Sequence, residues 1–174
     1  LYISGLYHDI GKGRGSDHSE LGKTIVRTFC KKHFFSEEDT KKIEWLVENH
    51  LLMSITSQKK DLTDNEVIKD FAKKIKDLET LNYMYCLTAA DVSATNPRLW
   101  NSWNASLLKQ LYDRTKLYFE DEILLNTSIM EEKAKAMELL EDFRQQDVRK
   151  LWSNFDEDYF EASDHEDLKI HAQN

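Results

Sequence analysis

A chain of 174 residues is long enough to bury a substantial core and fits one domain with a tail. Its net charge of −8 argues against DNA or RNA as a partner, because nucleic-acid binding needs a basic surface. No apolar run is long enough to cross a bilayer, so we expect no membrane partner. Cys30 and Cys86 stand far apart in apolar surroundings, which predicts buried free thiols in a reducing compartment and favours a cytoplasmic protein.

One proline and five glycines, with no long alternation of period two, predict an all-helical chain. In chain order, the predicted helices cover residues 1–10, 18–33, 36–50 with Ser36 as N-cap, a segment opened by a capping box at 63–66, 78–93 stopped by Asn96-Pro97, 102–123 and 129–145. After Gln145 the pattern weakens, which fits either a terminal helix pair or a linker. The first residues already look like the inside of a helix, so we expect an excised piece of a longer protein.

The stretch 5–15 is the most informative for chemistry. It contains the doublet His8-Asp9, and a neutral imidazole beside a carboxylate is a ready pair of metal ligands. Four of the five glycines also lie here, where they let the backbone approach a ligand closely. Lys12 and Arg14 suit a phosphate group. A metal beside a phosphate site predicts phosphoester chemistry.

Asp91 lies on an otherwise apolar predicted helix, and burying a lone carboxylate costs several kcal/mol. Taken alone, it favours a salt bridge or a helix-end cap near Ser93, but beside the doublet a metal becomes the better partner. His18 and His50 stand at predicted helix ends, where each is either a helix-terminus residue or a further ligand. The histidine and carboxylate set predicts a divalent metal: Mn²⁺ or Mg²⁺, with Fe²⁺ or Zn²⁺ as alternatives.

The remaining candidates are cations and outlying histidines. Arg98 follows Asp91 by seven positions and is expected near the same helix end, where it can bind phosphate. A surface role is an equal alternative for Arg14. The other histidines are expected to be structural or exposed: His33, His165 and His171.

The doublet with downstream His18, His50 and Asp91 resembles the HD superfamily of metal-dependent phosphohydrolases. In that family a helical bundle holds one or two metals through an early His, the HD doublet, sometimes two further His, and a late Asp. Longer stretches resemble the bifunctional enzymes that add uridylyl groups to the PII nitrogen-regulatory protein and remove them. The resemblance covers the HD domain of these enzymes and the segment after it: residues 6–19, 49–54, 91–101, Asp158-Tyr159-Phe160 and His171.

The resemblance implies an all-α, HD-domain-like helical bundle. Residues 1–145 would be an HD domain lacking its N-terminal helices, and residues 146–174 a C-terminal helical extension or a linker toward ACT domains. It also implies the partners: uridylylated PII as substrate, together with the nucleotidyltransferase and ACT domains of the parent chain.

The resemblance further implies that uridylylated PII is hydrolysed with release of UMP. His8, Asp9 and Asp91 would be ligands of the main metal. His18 and His50 would hold a second metal or steady the leaving phenolate. Positive charge to offset the phosphate would come from Lys12, with Arg14 and Arg98.

This chain departs from the family pattern, because the first metal histidine of the family lies upstream of the doublet and nothing precedes Leu1 here. We therefore expect a site that is short of one ligand. Two alternatives stay open: an HD phosphohydrolase of a free nucleotide, and a non-catalytic helical module that holds partner domains or PII.

Overall fold

The computed structural model describes residues 1–15, 17–95 and 100–173. Over these residues all regular secondary structure is helical and no strand forms, which confirms the predicted all-α class. The chain divides into two compact units, Leu1–Phe119 and Glu120–Asn174. This division lies earlier in the sequence than the expected domain boundary after residue 145.

The helices of the first unit are α1 (Tyr2–Tyr7), α2 (His18–Lys32), α3 (Glu37–Glu48), α4 (Leu52–Lys59), α5 (Asn65–Ile75), α6 (Leu78–Thr95) and the beginning of α7 (Ser102–Leu139). The second unit holds the rest of α7 with α8 (Gln145–Trp152), α9 (Glu157–Glu161) and α10 (His165–Gln173). None of the helices within the described ranges is both long enough and apolar enough to cross a membrane.

Several predicted helix boundaries are correct, and their caps show why. The Ser36 hydroxyl accepts a hydrogen bond from the Asp39 N–H at 3.0 Å, which starts α3 as predicted. The capping box at 63–66 was wrong in detail. Asp64 caps α5 by accepting from the Glu66 N–H at 2.9 Å, because the Thr63 hydroxyl instead donates to the Asp61 carboxylate at 2.7 Å.

Other predicted elements differ from the structure. α1 ends at Tyr7 rather than near residue 10, since the chain turns there through a hydrogen bond from the Ile10 N–H to the Tyr7 carbonyl. The prediction of two separate helices over 102–123 and 129–145 was wrong, because α7 is continuous. Within it, the Thr127 hydroxyl donates to the Ile123 carbonyl at 2.8 Å. α4 was not predicted at all.

The core of the first unit is a cluster of buried residues from α3 to α7. Seven of its members are at most 1% exposed: Leu46, Met53, Ala72, Ile75, Leu81, Met84 and Leu111. Cys30 is buried against α3 as predicted, but Cys86 is exposed, because it falls on the outer face of α6. The packed face of α6 fixes the backbone that carries Asp91.

Ion pairs fasten α2 against α3 in an antiparallel register. The Arg27 guanidinium donates to both oxygens of Glu44 at 2.7 Å, and Lys23 bonds Glu48 at 2.7 Å. The hydrogen bond from Arg27 keeps the pKa of the buried Glu44 below its ordinary value. This register brings the start of α2 beside the end of α3, which is where His18 and His50 lie.

The second unit has its own small core. It is formed by Ala136, Leu140, Val148, Trp152, Phe160 and Leu168. Glu132 of α7 accepts hydrogen bonds from the backbone N–H and the ring of His165, at 2.9 Å and 2.7 Å. This contact joins α7 to the start of α10.

Candidate metal centre

Two histidine rings are oriented by backbone carbonyls at helix ends. His8 directly follows α1, and its Nδ1 donates to the Gly5 carbonyl at 2.8 Å. His50 lies beyond the end of α3, and its Nδ1 donates to the Val47 carbonyl at 2.8 Å. With Nδ1 as the donor, each neutral ring keeps a free electron pair on Nε2, which is the tautomer that a metal ligand needs.

The first group of possible ligands joins the doublet to α6. His8 Nε2 lies 3.3 Å from Asp9 Oδ2 and 3.3 Å from Asp91 Oδ1. These three residues offer ligand atoms that all lie within 4.8 Å of one another. Residues 83 positions apart in the sequence therefore meet at one point.

The second group shares Asp9 with the first. Asp9 Oδ1 lies 3.6 Å from His50 Nε2 and 3.8 Å from His18 Nε2. The ring of His50 stands edge-on to His8 and to His18, with centroids 5.2 Å apart in both pairs. The two oxygens of Asp9 thus face two different groups of possible ligands, and this one carboxylate belongs to both.

The chemistry of the donor set fits a cation. Asp9 Oδ1, His18 Nε2 and His50 Nε2 are buried, and none of the three has a hydrogen-bond partner among the described residues. A buried polar atom without a partner costs about 1–3 kcal/mol. A divalent cation would stabilise three such atoms gathered around one point, because each would donate an electron pair to it.

The titration behaviour of two residues agrees with this fit. Burial lowers the pKa of His50, so the ring stays neutral more readily than an exposed histidine. Burial alone would raise the pKa of Asp9, but the hydrogen bond from Lys12 and the neighbouring charges outweigh it and lower this pKa. Both shifts favour the protonation states in which these side chains bind metals.

The glycine-rich loop does two different things. A Cβ at Gly11 would collide with the backbone carbonyl of His18, so this glycine permits the close approach of the loop to the start of α2. Such a close approach was expected toward a ligand, but at Gly11 the loop instead approaches the backbone at the start of α2. Gly13 and Gly15 have φ values of 79° and 76°, in the left-handed region that favours glycine.

The candidate phosphate-binding residues are placed unequally. Lys12 lies at the site, with Nζ 2.5 Å from Asp9 Oδ2, and its side chain is 57% exposed. Arg14 is exposed in the loop. Arg98 and the predicted stop at Asn96-Pro97 lie outside the described residues.

One further residue at the site was missed by sequence reasoning. The Thr95 hydroxyl donates to Asp91 Oδ1 at 2.8 Å. The signal was available, because residues four apart on a helix face each other. The outlying histidines stand away from the site: His33 packs on Phe29 with ring centroids 4.3 Å apart, and His171 bonds the Tyr159 hydroxyl at 2.6 Å.

Comparison with known proteins matches the chain in two parts. The HD domain family matches residues 1–94, and the family described as Uridylyltransferase GlnD fifth domain matches residues 125–174. No solved structure matches.

Curated relatives cover both parts. Bifunctional uridylyltransferase/uridylyl-removing enzymes from Idiomarina loihiensis and Azotobacter vinelandii are each 46% identical over 99% of this chain, and one from Acinetobacter baumannii is 45% identical over the same share. The chain spans 20% of the length of each of these relatives. Because the HD domain match covers more than half of the chain and includes every residue of the two ligand groups, this chain belongs to the HD-domain family.

Proposed function

We propose that this chain carries the uridylyl-removing activity of a bifunctional uridylyltransferase/uridylyl-removing enzyme. The reaction is hydrolysis of the phosphodiester that links UMP to a tyrosine of the PII protein. The observation that carries the proposal is the position of Asp9, whose two oxygens face two groups of possible ligands around three unpartnered buried atoms. The printed names of the relatives supply the uridylyl chemistry.

The HD domain is a metal-dependent domain, and its possible ligands here are all nitrogen and oxygen atoms. We assign Mn²⁺ or Mg²⁺, with Fe²⁺ or Zn²⁺ as alternatives that suit the same donor types. His8, Asp9 and Asp91 would hold the main ion, and His18 and His50 with Asp9 a second one. A divalent cation bound there would supply Lewis-acid activation of water and of the phosphoryl oxygen.

The remaining roles belong to side chains around that centre. Lys12 would exchange part of its contact with Asp9 for the substrate phosphate and offset its charge. If His18 and His50 do not hold a second metal, they would stabilise the phenolate as the bond between phosphorus and the tyrosine oxygen breaks. Arg14 and Arg98 would be further cations that bind the phosphate.

The wider setting of the reaction follows from the same proposal. Uridylylated PII is the substrate, in a cytoplasmic protein whose other parts include a nucleotidyltransferase domain and ACT domains. Residues 1–145 would then belong to the HD portion and residues 146–174 to the extension toward the ACT domains.

The test is Asp91→Asn in the full-length enzyme. This change removes a charged ligand atom but keeps the size of the side chain, so uridylyl removal should fall by more than about 100-fold while uridylyl transfer remains. Release of UMP from uridylylated PII measures the first activity, and incorporation of labelled UMP measures the second.

Three results would contradict the proposal. Retained removal by the variant would exclude Asp91 from the site. Release of phosphate or pyrophosphate from free nucleotides, without release of UMP from the modified protein, would favour a nucleotide phosphohydrolase. Loss of both activities with a normal melting temperature would point to a regulatory module.

A further inference from the structure

The second unit carries a groove that the proposed chemistry does not use. Its volume is about 690 Å³, and it is lined by the end of α7 and by α8. The lining is largely apolar and includes Met130, Met137, Leu140, Phe143 and Trp152. Met130 is 71% exposed and Phe143 is 42% exposed, so a large part of this apolar surface meets water.

The groove continues as an apolar stripe along α7. Ile123, Met130 and Met137 are spaced by seven residues, which places them on one face of the helix. Ile123 is 59% exposed and the adjacent Leu124 is 68% exposed. From Ile123 to Met137 the stripe is about 21 Å long, or roughly four helical turns. An elongated apolar face of this length matches another helix lying along it.

Charge identifies the kind of helix. Residues 120–174 contain 16 acidic and 6 basic side chains, whereas the rest of the chain is close to neutral. Glu138 and Glu141 stand at the groove. Of the two cations there, Lys133 lies over the Phe160 ring at 3.3 Å from its centroid, and Arg149 is exposed. The unit therefore attracts a basic partner at a distance and offers it carboxylates on arrival.

Trp152 supplies a separate observation. The residue lines the groove and is 7% exposed, yet its indole Nε1 is buried with no hydrogen-bond partner within the described part of the chain. A buried donor without an acceptor is costly. A helix in the groove would remove this cost with a carbonyl of its last turn, which has no partner within the helix.

We propose that this groove binds a basic amphipathic helix. The apolar face of the bound helix lies on the apolar stripe of α7, and the lysines or arginines of that helix face Glu138 and Glu141. Flexible methionine side chains suit such a surface, because they adapt to the shape of the helix that they receive. The proposal is independent of the uridylyl-removing activity.

The experiment uses the whole 174-residue chain and two fluorescein-labelled model peptides of about four turns. One peptide has leucine on one face and lysine on the other, and the second has glutamate in place of every lysine. Fluorescence anisotropy at about 0.15 M salt measures binding. The lysine peptide should bind, and the glutamate peptide should bind at least roughly tenfold more weakly.

Two variants and a matched control locate the binding. Glu138→Lys should weaken binding of the lysine peptide roughly fivefold or more, and Met130→Gln should also weaken this binding severalfold. Glu161→Lys makes the same change of charge at an exposed position of α9 that does not line the groove, so it should have less than about a twofold effect. Met130 is so exposed that its replacement leaves the fold intact, which keeps the test valid if Glu138→Lys unfolds.

Three outcomes would overturn the proposal. The first is no binding of the lysine peptide. The second is equal binding of both peptides, which would make the groove a seat for apolar ligands without preference for charge. The third is an equal loss of affinity for the lysine peptide in Glu138→Lys and Glu161→Lys. That result would mean that the attraction comes from the overall charge of the unit and not from the groove.

Discussion

At the scale of single residues, the candidate site depends on Asp9. It lies beside His8 in the sequence, but only the fold brings its Oδ1 atom close to His18 and His50. Lys12 holds the Oδ2 atom of Asp9, but Asp9 Oδ1, His18 Nε2 and His50 Nε2 are buried without a hydrogen-bond partner among the described residues, which is costly. A divalent cation among these three atoms would remove that cost, because each atom would donate an electron pair to it.

Thr95 makes a prediction at this scale, because its hydroxyl holds one oxygen of Asp91. Thr95→Val removes that hydrogen bond and should weaken Mn²⁺ binding about tenfold, within the usual range for residues that orient a ligand. Thr95→Ser keeps the hydroxyl and should bind within about twofold of the wild type. Isothermal titration of both variants with Mn²⁺ measures the effect, and equal affinities for valine and serine would show that Thr95 does not orient Asp91.

At the scale of elements, Gly11 controls how closely the loop after α1 approaches α2. Gly11→Ala adds a methyl group that meets the His18 carbonyl, so the start of α2 must move. We expect a loss of about 1–3 kcal/mol in the free energy of unfolding, together with weaker Mn²⁺ binding. Urea denaturation and metal titration measure the two effects.

Gly13→Ala is the matched control. A Cβ there meets nothing within 4 Å, and only the positive φ is strained. We expect a cost of about 1–2 kcal/mol in stability with unchanged Mn²⁺ affinity. If both alanine variants weaken Mn²⁺ binding equally, Gly11 has no special part in placing His18.

The contact between α7 and α10 predicts a dependence on pH. Hydrogen bonds from Lys135 and His165 lower the pKa of Glu132 to about 2. A carboxyl with a lowered pKa in the folded state stabilises the protein above its ordinary pKa, and this contribution is lost as the pH falls toward 2.

Glu132→Gln should therefore lower the melting temperature by roughly 2–4 °C at pH 7. The difference from the wild type should shrink as the pH falls from about 4.5 toward 2. Thermal unfolding followed by circular dichroism across this range checks it. A difference that is constant with pH would mean that the charge of Glu132 contributes nothing.

Local sequence signals predicted much of this architecture. Caps such as Ser36 and the apolar periodicity were enough for most helices, and Asp91 was conspicuous as a carboxylate in an apolar helix. The continuity of α7 was not predicted, because the polar residues 126–128 resemble a loop when their burial and packing are unknown. The meeting of residues 8, 18, 50 and 91 depends on the antiparallel register of α2 and α3 and on the packing of α6, which no local pattern contains.

At the scale of the whole molecule, the two units differ in charge as well as in packing. The first contains the two ligand groups and is nearly neutral, while the second is strongly acidic and contains the methionine groove. The two family matches fall on these same parts, with residues 1–94 in one and 125–174 in the other. The chemistry and the groove therefore belong to separate parts of the chain and can be tested separately.

Mn²⁺ titration of the 174-residue chain, with and without Asp9→Asn, tests the metal centre most directly. The wild type should bind the ion and gain melting temperature with it. The variant should keep its helical circular dichroism spectrum but lose at least about 100-fold in affinity, because both ligand groups share Asp9. Equal affinity in the two proteins, or no binding by the wild type, would contradict the assignment of a metal centre at this site.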